Sequence, residues 1–167
     1  MNLRHFERKS GMAAHRYGGT LTGLPPGLTH ELDIKRDRNI PAPAVQDICE
    51  SVGWARRDAD LISLALENSL VVISVWETGR LIAFGRATGD RVFNATVWDV
   101  VVRPSHQRRG LGRLVMKELL RELDSFNIPL ITLYADQGTE AFYERFGFLS
   151  DPSGAKGMFR EKYYQTW

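Results

Sequence analysis

The stretch of this 167-residue chain richest in potential chemistry is Val102-Arg-Pro-Ser-His-Gln-Arg-Arg-Gly-Leu-Gly112. Gly110 and Gly112 carry no Cβ, so the backbone there can turn tightly and leave its N–H groups unobstructed. A helix opening at this point would present first-turn amides that lack intrahelical acceptors, and its dipole would favour an anion. Arg108 and Arg109 add positive charge. Gln107 to Gly112 therefore reads as a cradle for a pyrophosphate. The plainer alternative is a solvated turn of two glycines and two arginines. An apolar strand in front and an amphipathic helix behind favour the cradle, because anion loops need that setting. Two other phosphate loops are excluded. The Gly-x-x-x-x-Gly-Lys-Ser/Thr string is absent, and no third glycine follows Gly112 at the dinucleotide spacing.

The elements around the cradle must do the positioning. Leu70 to Trp76 is a β-branched run, Glu77-Thr-Gly-Arg80 a tight turn, and Leu81 to Arg86 its returning partner. Ala95 to Val102 predicts a third, central strand that Pro104 ends. Leu111, Val115, Leu119, Leu123 and Phe126 recur at helical steps with charged residues between them, so a helix spans 111–126. Pro129 to Asp136 reads as a fourth strand, followed by a short helix through Ala141, Phe142, Arg145 and Phe146 that Gly147 terminates. Upstream, Leu28 to Lys35 suits an edge strand. Pro41 and Pro43 open a helix through Val45, Ile48, Cys49 and Val52, and Asp58 to Asn68 makes another. Met158 to Tyr164 reads as a last strand. Residues 1–28 read as a loosely packed extension, leaving 29–167 as the domain.

This order predicts an α+β fold, a mixed central sheet with helices on both faces. Strand 95–102, helix 111–126 and strand 129–136 form a right-handed crossover with parallel strands.

Composition narrows the function. With 22 basic and 20 acidic residues the net charge is only +2, which argues against a dedicated nucleic-acid binder. Cys49 is the single cysteine, so neither an internal disulfide nor a cysteine zinc site is available, and a reducing compartment is expected. No apolar run approaches the ~20 residues needed to cross a bilayer. Arg4, Arg8, Lys9 and Arg16 make the start basic, but no signal-peptide apolar core follows. His5, His15, His30 and His106 show no metal-ligand spacing. The expectation is a cytoplasmic monomer or homodimer without metal, nucleic-acid or membrane partners.

Val102-Arg-Pro-x-x-Gln-Arg-Arg-Gly-Leu-Gly112 resembles the Gln/Arg-x-x-Gly-x-Gly/Ala signature of GNAT acetyltransferases, and Phe142-Tyr-Glu-Arg-Phe-Gly-Phe148 resembles their second signature. The likeness spans about Asp58 to Phe159. Phe93 to Pro104, Leu133-Tyr-Ala-Asp136 and Asp151 to Phe159 are similar to the cyanobacterial and plastid branch, which includes plant-type serotonin N-acetyltransferases and plastid protein acetyltransferases. A chain from a photosynthetic eukaryote would then belong in the plastid stroma.

The resemblance implies the GNAT fold and transfer of acetyl from acetyl-CoA to a primary amine by direct attack in a ternary complex. The acceptor would be an arylalkylamine such as serotonin, or a protein lysine or N-terminus. A catalytically silent CoA-binding module is the alternative. Val100, Val101 and Val102 are implied to meet the pantetheine arm. Gln107, Arg108, Arg109, Gly110, Leu111 and Gly112 would take the pyrophosphate, and an N–H near Val100 the developing oxyanion. Tyr143 is implied to protonate the departing thiolate; a core packing role beside Phe142 and Phe146 is the alternative. An alkyl amine titrates near ~10.4, so the reaction needs a proton acceptor. Asp99 and Asp136 both qualify. Asp99 interrupts a valine-rich strand, where a carboxylate is costly unless paired, for instance with Arg86. Asp136 ends a parallel strand, where it would otherwise cap a helix. Many GNAT relatives carry a glutamate where Tyr134 stands. Regular pairing puts Trp98 on the opposite side from Asp99, as a core residue; a bulge would turn it toward the acceptor.

Overall fold

The computed structural model describes residues 32–159. The proposed extension 1–28 and all but the first two residues of the proposed strand 158–164 lie outside them; Met158 and Phe159 are in no strand.

Five strands form one sheet in chain order: β1 (Leu32–Lys35), β2 (Val71–Glu77), β3 (Arg80–Gly89), β4 (Asn94–Val102) and β5 (Leu130–Leu133). The first four run antiparallel, and β5 lies parallel to β4. The crossover between those two is α3 (Leu111–Asp124), which covers one face. On the other face lie α1 (Ala42–Ser51) and α2 (Ala59–Glu67). The mixed sheet between helices matches the expected α+β class.

Coverage on both faces explains the apolar runs. Ile73, Val75 and Ile82 pack toward α3, whereas Val72, Leu81 and Phe84 pack toward α1 and α2. A strand buried on both sides has no reason to alternate. Helix α3 has one such side only: Leu111, Val115, Met116, Leu119 and Leu123 are buried while Arg113, Lys117 and Arg121 face solvent. Each of those buried side chains stabilises the fold by about 1.5–3 kcal/mol. Helix α2 starts where the Asp58 side chain accepts the N–H groups of Asp60 and Leu61 at 2.8 and 3.2 Å.

Several limits differ from the expected ones. Strand β3 runs on past Arg86 to Gly89, and β5 stops three residues short of Asp136. Helix α4 is five residues, Glu140–Glu144, with Gly147 left-handed beyond it at φ 87°.

Two departures from regular pairing shape the site. The β3–β4 register pairs Arg86 with Trp98 but Phe84 with Val101, so Gly85 alone faces both Asp99 and Val100. This is a β-bulge, with Asp99 at φ 53°. Gly85 is required beneath it. A Cβ there would come within 2.7 Å of Val115 Cγ1 and 3.1 Å of Leu119 Cδ1. The second departure is a gap. Strand β5 pairs with β4 only from Asn94 to Val97, and β4 continues to Val102 with no neighbour on that side among the described residues.

Candidate active site

The bulge decides which way the site residues point. Val97 and Val100 both pack on the α3 side. The two residues between them, Trp98 and Asp99, therefore share the other face rather than alternating. Trp98 is 39% exposed and is not the core residue that regular pairing implies. Its Nε1 donates to Thr88 Oγ1 at 3.0 Å, and its ring lies 5.5 Å from that of Tyr134, which in turn lies 4.9 Å from Phe159. These three rings make an aromatic wall beside the gap.

Asp99 is fully engaged. Arg86 Nε donates to Oδ2 at 2.5 Å and Arg57 Nη1 to Oδ1 at 3.1 Å, with the carboxylate side chain only 11% exposed. The Arg86 pair was foreseeable from the sequence. Arg57 was not, since it lies 42 residues away in the α1–α2 connection.

The open rim of β4 follows from strand geometry. Arg103 donates its N–H to Ile82 at 2.9 Å, toward β3. Strand amides alternate, so Val101 also turns to β3, and its side chain is buried against α1 and α2. Of the three valines, only Val100 and Val102 direct backbone groups into the gap. Gln107 Nε2 donates to the Val102 carbonyl there at 3.0 Å. Gly112 sits between Phe142 of α4 and Val102, where a Cβ would make only ordinary contacts at 3.5 and 3.7 Å.

The loop into α3 matches what an anion requires. Its root is fixed by buried Arg103, which donates to the Leu81 carbonyl and to Asp47, and by His106 Nε2 against Glu77 Oε2 at 3.0 Å. Beyond this turn, Arg108 and Gly110 are left-handed, at φ 59° and 78°. The first amide of α3 to find an acceptor belongs to Leu114, on Gly110 at 2.9 Å. Among the described residues, no backbone N–H from Arg108 to Arg113 has a protein acceptor. Arg108, Arg109 and Arg113 have no carboxylate partner there either. Leu111 anchors the loop by burying its side chain while its amide stays free. Six successive unpaired amides with three cationic side chains form an anion nest at a helix start. This fits the diphosphate of CoA.

Tyr143 lies on α4, half-buried, with ring centroids 4.9 Å from Phe142 and 6.3 Å from Phe148. Burial, and secondarily the charge of Asp136, raises its phenol above the usual 10.0, so it stays protonated at neutral pH. The carbonyl of Asp136, not its carboxylate, accepts from the Thr139 N–H at 3.0 Å and hydroxyl at 2.7 Å. The carboxylate is exposed and has no partner among the described residues. Helix-capping is therefore not its role. Among the described residues no three side chains could hold a metal ion, and no helix is long and apolar enough to cross a membrane.

Residues 38–148 match the acetyltransferase (GNAT) family. The uncharacterized N-acetyltransferase ycf52 of Pyropia yezoensis is 39% identical over 77% of this chain and 76% of its own length. The histone acetyltransferase TAP1 of Glycine max is 38% identical over 81% of this chain and 63% of its own length. Among solved structures, a GNAT family acetyltransferase of Streptococcus pneumoniae superposes with a TM-score of 0.69 at 25% identity, covering 79% of this chain and 98% of that one. By that match the chain belongs to the GNAT family and is an acetyl-CoA-dependent N-acetyltransferase.

Proposed function

We propose that the acetyl group passes directly from acetyl-CoA to a primary amine held against the wall of Trp98 and Tyr134. The acceptor is either a small amine with a flat apolar body or the stem of a protein lysine. The observation that supports this best is the run of unpaired amides from Arg108 to Arg113 at the mouth of the β4–β5 gap. Acetyl-CoA brings an activated thioester; the chain's residues hold, aim and move protons. Gln107 to Gly112 grip the diphosphate, and the Val100 and Val102 backbone receives the arm as an added strand would be received. Binding energy far from the reacting carbonyl is thereby used to orient it. The Val100 N–H stabilises charge developing on the carbonyl oxygen.

Asp136 is the better proton acceptor of the two carboxylates, because Asp99 already has both oxygens committed to guanidinium groups. It draws the proton from the ammonium form, directly or through water, so that the nitrogen lone pair can attack. As the carbon–sulfur bond breaks, the Tyr143 hydroxyl supplies a proton to the leaving sulfur, and the proton shed by the acylated nitrogen, passed through water, restores the phenol. A protein acceptor is supported by the name of the soybean relative, and a flat amine by the exposed aromatic wall. A CoA-release screen over aromatic amines, polyamines and lysine peptides, at several pH values, separates them. Acetyl-CoA binding with no turnover on any of the panel would overturn this reading.

A further inference from the structure

Arg57 has no electrostatic duty that Arg86 does not already fulfil. One guanidinium neutralises one carboxylate, and Arg86 reaches Asp99 at 2.5 Å from the neighbouring strand. Arg57 brings a second positive charge to the same single carboxylate, with its side chain 37% exposed. What it adds is a mechanical link. Its backbone N–H is bound to Gln46 Oε1 at 3.0 Å, and Gln46, buried in α1, is itself held by Glu50 at 2.7 Å. Its guanidinium stands 5.7 Å over the Trp54 ring. Arg57 is thus fixed to α1 by its main chain and to the β4 bulge by its side chain.

The bulge needs such a hold. Asp99 is left-handed without being glycine, a strained conformation that persists only where the surroundings over-determine it. The two neighbours of Asp99 are the residues whose direction matters: Trp98, which faces the acceptor wall, and Val100, whose amide faces the gap. A rotation at Asp99 would re-aim both.

Resting on the transferase reading above, we infer that Arg57 is a positioning residue, a strap by which the α1–α2 connection sets the direction of the Val100 amide and the Trp98 ring while touching neither substrate. Its substitution should disturb the chemical step and leave the distant diphosphate cradle intact. Arg57 and Asp99 should act as one unit, since each works through the other.

The test compares R57M, which keeps the length and apolar stem of the side chain, with R57K, D99N and R57M/D99N. Hydrogen exchange over Val97 to Arg103 is the readout that needs no turnover. In R57M those amides should exchange about tenfold faster, with β2 and the Arg108–Arg113 loop unchanged. On whichever acceptor the wild type uses, kcat should fall about tenfold, R57K should recover part of it, and R57M/D99N should be no worse than D99N. Wild-type exchange across β4 in a folded R57M, or effects of R57M and D99N that multiply, would overturn the strap. If the wild type releases no CoA with any amine, the transferase reading fails, and the exchange comparison still decides the strap.

Discussion

Alkylation of Cys49 tests whether transfer avoids an acetylated enzyme. The chain has no other cysteine, so a covalent thioester relay would have to use it. It is 2% exposed on the inner face of α1, and burial pushes the thiol from 9.0 up to about 11. At pH 8 an unshifted thiol is about one-tenth thiolate, whereas one titrating near 11 is about one-thousandth. Since the thiolate is the nucleophile, that alone is a loss of about a hundredfold, before any cost of opening the core. Iodoacetamide should therefore label the native protein at pH 8 at least about a hundred times more slowly than the guanidinium-unfolded protein, read by mass spectrometry of the single adduct. Cys49→Ala should keep kcat within about twofold while lowering stability by about 1 kcal/mol. Double-reciprocal plots against both substrates should intersect. Rapid labelling of the folded protein with loss of transfer, or parallel plots that vanish with Cys49→Ala, would refute direct attack.

Tyr143→Phe should reduce kcat by about ten- to a hundredfold with acetyl-CoA Kd nearly unchanged. Because burial and Asp136 raise the phenol above 10.0, the wild-type alkaline limb should lie above that pH and disappear in the variant; a limb below it would deny Tyr143 the donor role. Asp136→Asn should cost about a hundredfold in rate with the best acceptor and leave acetyl-CoA Kd nearly unchanged; an unimpaired rate would remove it as the proton acceptor. Replacing Arg108, Arg109 and Arg113 by Ala together should weaken acetyl-CoA binding at least about tenfold and flatten its salt dependence in calorimetry. An unchanged Kd would remove the cradle. Gly85→Ala should cost about 1–3 kcal/mol in urea unfolding, because its Cβ would overlap Val115; a neutral substitution would show that α3 yields there.

Much of this was legible in the residues. The glycines and arginines of the cradle announce themselves by spacing, and the apolar stripe of α3 by its period. What stayed hidden depends on pairing rather than on composition. A bulge shifts register by one residue without leaving a periodic trace, so the directions of Trp98 and Asp99 could not be read from alternation. Tryptophan is most often a core residue, yet Trp98, in regular alternation with Val97, is partly exposed, and the bulge is what turns Asp99 to share its face. The pattern of strand β5 continues to Asp136, yet the strand ends at Leu133 because β4 diverges and offers no further ladder. Arg57 looks like any loop arginine until the fold brings the α1–α2 connection to β4.

The bare rim of β4 also matters for handling the protein. Unmated peptide groups along an extended segment are a template for another extended chain, which is how sheets come to join edge to edge. A thioester arm lying along Val100 and Val102 would occupy that template, and any ligand that binds only the folded form raises its melting temperature by mass action. Preparations kept with CoA should therefore self-associate less and melt later than the bare protein, with the benefit concentrated at this one seam of the sheet.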